Sequence, residues 1–250
     1  MKNIERPTKF DANVLVIGAG SAGLIASYIA AAVQAEVILV QSGPMGGDCL
    51  NTGCVPSKSL ISIAHTMHQI KTAGDRGITV GEPRVDFPKV MNKVQQAINT
   101  IAPNDSVERY ESLGVRCVTG RAQFLSPYCV AVNGREYTAA NIIIATGAEP
   151  ALPPIPGLES VDYVTSETLW NLKTLPDNLV VLGGGPIGCE LAQSFQRLGS
   201  EVTLVEMASR LLPQEHADIS AHMARLLQRD GVRLMMSHKA ERILPHRLTV

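Results

Sequence analysis

Two short glycine motifs, each set between an apolar run and a helix-prone run, restrict this chain more than any other feature. Val14 to Ile17 leads directly into Gly18-Ala-Gly20-Ser-Ala-Gly23, followed by an Ala-rich segment to about Ala32 and a second apolar run, Glu36 to Val40. The arrangement returns at Val180 to Leu182, Gly183-Gly-Gly185-Pro-Ile-Gly188, a segment closed by Gly199, and Glu201 to Val205. Short apolar runs bounded by turns read as buried parallel strands, so each copy reads as a βαβ unit. From the first glycine to the polar residue ending the second strand is 23 positions in both copies, Gly18 to Gln41 and Gly183 to Glu206. Such glycines permit a tight turn, close approach of backbone to a pyrophosphate, and close helix-strand packing, with the helix N-terminus facing the phosphates. Gly18, Gly20, Gly23, Gly183, Gly185 and Gly188 are therefore candidate nucleotide-binding positions, and two copies imply two different dinucleotides. Glu206 is placed to accept from ribose hydroxyls, whereas Gln41 offers a neutral amide, a weaker acceptor.

Between the copies lies Gly46-Gly-Asp-Cys-Leu-Asn-Thr-Gly-Cys-Val-Pro-Ser-Lys58. Across a five-residue step of regular helix the Cα atoms of Cys49 and Cys54 would stand about 8 to 9 Å apart, beyond the limit of about 7 Å for a disulfide. Asn51, Thr52 and Gly53 are poor helix formers, so the spacer can kink and close that distance. Pro56 suits the first turn of a helix starting near Cys54. The helix dipole and Lys58, four residues on, would favour the Cys54 thiolate. Two other readings remain open at this point: a pair of structural thiols, or half of a zinc site with His65 and His68. The absence of any C-x-x-C spacing weighs against zinc, and the expected metal set is none. A redox pair is the leading expectation, because structural thiols do not need a kinked glycine-bearing spacer.

With 250 residues, a formal charge of −1 and 45% hydrophobic residues, the chain has the composition of an α/β protein of one or two domains. No basic stripe points to nucleic acid, and no apolar run reaches the roughly 18 residues of a membrane span. Met1 to Asp11 is polar and has no signal-peptide character, so a cytoplasmic location is expected. Five cysteines, an odd number, suit a reducing compartment, and Cys117, Cys129 and Cys189 read as core residues.

The helix begun at Cys54 is expected to run to about Met67, and Gly74 to Pro83 reads as loop. Phe87 to Ile101 reads as an amphipathic helix with Val90, Val94, Ala97, Ile98 and Ile101 on one face. Val115 to Val118, Ala122 to Leu125, Val130 to Val132 and Glu136 to Thr138 read as short strands, with Asn133-Gly134 as a hairpin turn. Asn141 to Ala145 reads as a separate buried strand. Pro150, Pro153, Pro154 and Pro156 mark a boundary between domains at 1–150 and 151–250. Ser220 to Arg229 reads as a helix, Val232 to Met235 as a strand, and Leu248 to Val250 as the start of another. The expected class is α/β: two Rossmann-like, doubly wound parallel-sheet domains with a small antiparallel β-meander.

In order, the first glycine motif, the cysteine-bearing stretch, Ile144-Ala-Thr-Gly147 and the second glycine motif resemble the FAD-dependent pyridine nucleotide-disulfide oxidoreductases, of the dihydrolipoamide dehydrogenase and mercuric reductase kind. The likeness covers nearly the whole chain, and the stretch from Asn104 to Gly114 looks most like the mercuric reductase branch. It implies FAD at Gly18, Gly20 and Gly23, with Gln41, Gly47, Thr146 and Gly147 as further cofactor contacts. The nicotinamide cofactor would lie at Gly183, Gly185, Gly188 and Glu206; the Glu206 carboxylate, which would repel a 2′-phosphate, favours NADH over NADPH, while Arg210, four residues on, could contact such a phosphate and counts the other way. By the same resemblance Cys54 is the thiol against the flavin, Cys49 exchanges with substrate, and Lys58 and Glu190 form an ion pair beside the flavin. The implied activity passes electrons from NAD(P)H through FAD to the cysteine pair and on to a small disulfide, dithiol or metal ion, in a homodimer. A second FAD segment and a C-terminal interface domain carrying a His-Glu base are family features not found in this stretch. A truncated dinucleotide-binding fragment is the alternative expectation. No histidine here, whether His65, His68, His216, His222, His238 or His246, is spaced to serve Cys49 as a base, so this length of chain alone is expected to bind FAD weakly and not to turn over.

Overall fold

The computed structural model describes residues 6–244 and 247–250; His246 lies outside them. The chain divides into two compact units, one holding residues up to Val55 with Gln96–Glu149, the other Pro56–Gln95 with Pro150–Val250.

The first unit begins with β1 (Ala12–Ile17), α1 (Ser21–Ala32) and β2 (Val37–Gln41), the expected βαβ unit. Then come α2 (Gly47–Asn51) and the start of α3 (Cys54–Lys71). After the end of α4 (Phe87–Ile101) follow α5 (Val107–Ser112), β3 (Val115–Thr119), β4 (Ala122–Ser126), β5 (Cys129–Val132) and β6 (Arg135–Ile144). The sheet order is β3-β2-β1-β6-β5-β4, with β3, β2, β1 and the second half of β6 parallel. Successive strand residues face opposite sides, and the two cores of this unit follow that alternation. Leu15, Ile17, Ile38 and Val40 pack with Val130, Val132 and Tyr137 of the meander. Val16, Val37 and Leu39 pack on the other face with Leu24 of α1 and Tyr110 of α5.

Two expected strands are here one. Residues 136–138 and 141–144 belong to a single strand, β6, whose first half pairs antiparallel with β5 and whose second half pairs parallel with β1. The meander is thus continuous with the parallel sheet. The expected burial of Asn141 to Ala145 is also corrected: Ile144 is 66% exposed and Ile143 is exposed too. Beyond Thr138 the strand has left β5, and among the described residues its second half pairs on one side only.

The second unit holds β7 (Asn178–Leu182), α6 (Pro186–Leu198), β8 (Glu201–Glu206), α7 (Ala217–Arg229) and β9 (Arg233–Met236), with parallel order β7-β8-β9. A hairpin of β10 (Arg242–Leu244) and β11 (Arg247–Thr249) follows. Both units therefore present their first three parallel strands in the doubly wound 3-2-1 order. Residues 56–95, read from the sequence as part of the first domain, pack here. Leu60 and Ala64 of α3, and Phe87, Val90, Met91 and Val94 of α4, share a core with Phe195 and Leu198 of α6. The Phe87 and Phe195 rings lie 6.1 Å apart. Burying each such aromatic or branched side chain contributes about 1.5 to 3 kcal/mol, and this draws the helices to the second unit. Ile101, expected on the buried face of α4, is exposed at the helix end. No helix among the described residues is long and apolar enough to cross a membrane.

Candidate active site

In the first unit, Gly18 has φ +106°, and a Cβ there would lie 2.2 Å from the Ala145 carbonyl oxygen. That contact sets the end of β6, and with it Thr146 and Gly147, against the turn. A Cβ on Gly23 would overlap the Gly18 carbonyl, so this glycine lets α1 close onto the turn. Gly20 is the N-cap of α1, without a side-chain cap and with no acidic residue in the first turn. Its helix N-terminus therefore keeps its amides and positive dipole end for an anion. Gln41 is already engaged: its Oε1 accepts from the Ala19 N–H at 2.6 Å, and its Nε2 donates to the Pro44 carbonyl at 3.1 Å.

The cysteine loop is built onto this same turn. Gly46 donates its N–H to Ala19 at 2.9 Å, and a Cβ on Gly47 would stand 2.6 Å from the Gly20 Cα. Gly47 begins α2, which carries Cys49. Asn51 clamps the helix by donating from Nδ2 to the Met45 and Gly47 carbonyls, both at 2.9 Å. The Asp48 carbonyl then accepts from Thr52 at 2.9 Å and Gly53 at 2.5 Å, which reverses the chain before α3 starts at Cys54. A Cβ on Gly53 would meet that carbonyl at 2.8 Å. The spacer thus leaves α2 after Asn51 and kinks at Thr52 and Gly53, and Pro56 sits in the first turn of α3. Both cysteines are thiols; Cys49 is half-buried and Cys54 exposed.

The second unit repeats the first turn with one chemical change. Gly183 has φ +107°, and a Cβ on Gly188 would lie 2.0 Å from the Gly183 carbonyl oxygen. Gly185 is the N-cap of α6, again without a side-chain cap or an acid in the first turn. A Cβ on Gly185 would meet no heavy atom within 4 Å among the described residues, so the turn is open where a phosphate would come. Glu206 occupies the place of Gln41. Its Oε2 accepts from Gly184 and its Oε1 from Ala208, both at 2.6 Å. Arg210 donates to the Pro213 carbonyl at 2.7 Å. Leu212, at φ +47°, donates its N–H to Gly184 and folds the loop back on the turn. In both units the donor set, bare helix N-termini at Gly20 and Gly185 beside the close-packed glycines, suits the phosphates of a dinucleotide.

Also in the second unit, Lys58 Nζ lies 2.7 Å from Glu190 Oε1, with the two side chains 60% and 39% exposed. Among the described residues no group of three or more His, Cys, Asp or Glu is gathered to hold a metal. Cys189 is buried as expected, and burial, then Glu206 and Glu190, pushes its thiol up to about 11. Burial, then Glu111 and Glu108, does the same to Cys117, to about 11. Cys117 and Cys129 are only half-buried. Cys129 is a correction to the core reading, since its Sγ lies 3.8 Å from Glu136 and its thiol is raised first by burial and then by that carboxylate.

The sequence reading took Asn51 only as a poor helix former, not as a clamp, and did not single out the Ala19 and Gly184 amides or the Pro44 carbonyl. Asn51 had a signal in its place four residues after Gly47, whereas the backbone partners carry none in the sequence.

Residues 12–248 match the family model described as pyridine nucleotide-disulphide oxidoreductase. The chain belongs to that family. Among its relatives in the pyridine nucleotide-disulphide oxidoreductase family, mercuric reductase of Bacillus cereus is 35% identical over 94% of this chain and 37% of its own length. Dihydrolipoyl dehydrogenase of Acholeplasma laidlawii is 34% identical over 94% of this chain and 71% of its own. The HOCl-induced flavoprotein disulfide reductase RclA from Escherichia coli superposes with a TM-score of 0.78 and 31% identity, covering 92% of this chain and 50% of that one. The chain spans 37% and 44% of the length of two mercuric reductases it matches.

Proposed function

We propose that this chain belongs to an enzyme that exchanges electrons between NAD(P)H and a small disulfide, dithiol or metal-ion substrate by way of FAD and the Cys49 and Cys54 pair. The observation that carries this reading is the packing of the cysteine loop on the first nucleotide turn, Gly46 on Ala19 and Gly47 on Gly20. When bound, NAD(P)H supplies a hydride and FAD relays its two electrons. The protein's share is thiol chemistry. The Cys49 thiolate attacks a substrate disulfide and one substrate thiolate leaves. The Cys54 thiolate then attacks the mixed disulfide at Cys49, releasing the second substrate thiolate and leaving a Cys49–Cys54 disulfide. Two electrons entering from the cofactor side, with two protons from solvent, restore both thiols.

Within this reading the kinked Asn51-Thr52-Gly53 spacer lets the two sulfurs meet, and the N-terminus of α3 favours the Cys54 thiolate. Cys54, the more open thiol, is the one set against the flavin; Cys49, on α2, is the one that exchanges. Lys58 and Glu190 tune the flavin. NADH is the preferred donor, because the fixed Glu206 carboxylate accepts from ribose hydroxyls and repels a 2′-phosphate, while Arg210 is held on Pro213. The working form is a cytoplasmic homodimer.

The test is alkylation with peptide mapping in the FAD-loaded protein, before and after NADH. NADH should convert an oxidised, unlabelled Cys49–Cys54 pair into two labelled thiols, and Cys49→Ser should abolish the change. Labelling at these positions that ignores NADH would refute the assignment. NADPH acting at lower concentration than NADH would refute the donor preference.

A further inference from the structure

Within the second unit a cavity of about 210 Å³ opens where α3, α6 and α7 all end. His68 comes from the last turn of α3, Arg197 from that of α6 and Arg229 from that of α7. Asp230 caps α7, and Asp75 and Arg76 come from a short 3-10 turn, Ala73–Arg76. The cavity is remote from the glycine turn of this unit, because Arg197 lies about 18 Å along α6 from the Gly185 N-cap at 1.5 Å per residue.

The charged groups of the lining divide into those already engaged and those left over. Asp230, 5% exposed, is fully engaged: its Oδ2 accepts from Gln193 Nε2 at 2.7 Å and from Arg197 Nε at 3.0 Å. Arg197 Nη2 lies 2.9 Å from the same oxygen, and His68 Nδ1 lies 3.4 Å from Oδ1. Arg76 and Arg229 are exposed, and neither forms an ion pair among the described residues. A cation beside a helix C-terminus is favourable in itself, but here other donors close the helix ends. Lys71 Nζ donates to the Arg197 carbonyl at 3.0 Å. The Thr72 N–H and Oγ1 donate to the His68 carbonyl at 3.0 and 2.9 Å, and the Asp230 N–H donates to the Leu226 carbonyl at 3.0 Å. Three arginines thus face one cavity with only two aspartates, and one aspartate is consumed by Arg197.

We propose that this cavity binds a small phosphate-class oxyanion between Arg76 and Arg229. The planar guanidinium fork matches phosphate oxygens two at a time. The volume falls below the roughly 300 to 1,000 Å³ of sites for drug-sized ligands, so the cavity is too small for a whole nucleotide. It has room for inorganic phosphate or the phosphate end of a small phosphoester.

The experiment is thermal unfolding of the whole chain in sodium phosphate, against sodium chloride at matched ionic strength. Phosphate at about ten times its half-saturating concentration should raise the Tm by roughly 3 to 6 °C, and chloride should not. Arg76→Ala and Arg229→Ala should each unfold like the unaltered chain in chloride, and each should lose at least half of the rise in phosphate. Arg229→Lys, which keeps the charge but not the fork, should retain part of it. Glycerol 3-phosphate tells a phosphoester from the free ion: the ligand giving the larger rise at equal concentration is the one the cavity takes. No rise beyond that in chloride overturns the proposal. So does a rise that persists undiminished when Arg76→Ala and Arg229→Ala are combined, since the ion then binds elsewhere, as at the nucleotide turns.

Discussion

Replacing Lys58 by Met separates a functional ion pair from a stabilising one. Lys58 Nζ and Glu190 Oε1 are 2.7 Å apart, yet the side chains are 60% and 39% exposed. Pairs this open to water contribute about 0.2 to 1 kcal/mol, because solvent screens the attraction and two long side chains lose freedom. In a chain of this size 1 kcal/mol corresponds to about 2 to 4 °C in melting temperature. Lys58→Met should therefore lower the Tm by no more than about 4 °C, and high salt should shrink even that difference. If the pair serves the cofactor, the same substitution should slow NADH-driven reduction of bound FAD by far more than this stability loss accounts for. Thermal unfolding at low and high salt, with stopped-flow absorbance of the FAD-loaded protein, measures both. A fall in Tm above about 8 °C with unchanged reduction would show that the pair holds the fold.

The two glycines of the second turn should part company on substitution. Gly185→Ala, whose added methyl meets nothing within 4 Å, should unfold within about 1 kcal/mol of the original while losing NADH affinity in a binding titration. Gly188→Ala, whose methyl would overlap the Gly183 carbonyl, should be destabilised by more than about 2 kcal/mol in denaturant unfolding. Alkali should expose the buried thiol. The folded chain holds the Cys189 proton more tightly than the unfolded chain, so stability is full below the ordinary 9.0 and falls as pH rises to about 11. That amounts to about 2 to 3 kcal/mol, and unfolding of Cys189→Ala across this range should show a shallower decline.

Features set by local chemistry were legible in the sequence. The glycine turns, α1, α6 and the Asn133-Gly134 hairpin, with both turn residues at positive φ, follow from residue type and spacing. What was not legible depends on partners distant in the chain. β6 reads as two strands because the small Ala139 and Ala140 interrupt its pattern; only its exchange of β5 for β1 makes it one. α2 has five residues, among them Gly, Asp and Asn, and owes its existence to the Asn51 clamp and the contact with Gly20, not to helix propensity. Residues 56–95 joined the second unit through Phe87, Phe195 and Leu198, a pairing no local pattern announces. At the candidate site, residue types pointed to Gln41 and Glu206, but that each binds the amide one residue past the first glycine of its turn required the fold.

The contact between Gly47 and Gly20, with the Gly46 to Ala19 hydrogen bond beside it, joins two backbones that have no side chain between them to absorb movement. The loop bearing Cys49 and the turn that begins α1 should then breathe as one element. In native-state hydrogen exchange the amides of Gly46 and Leu24, the latter bonded to Gly20, should share one opening free energy, and any ligand that quiets the turn should quiet the thiol loop to the same degree.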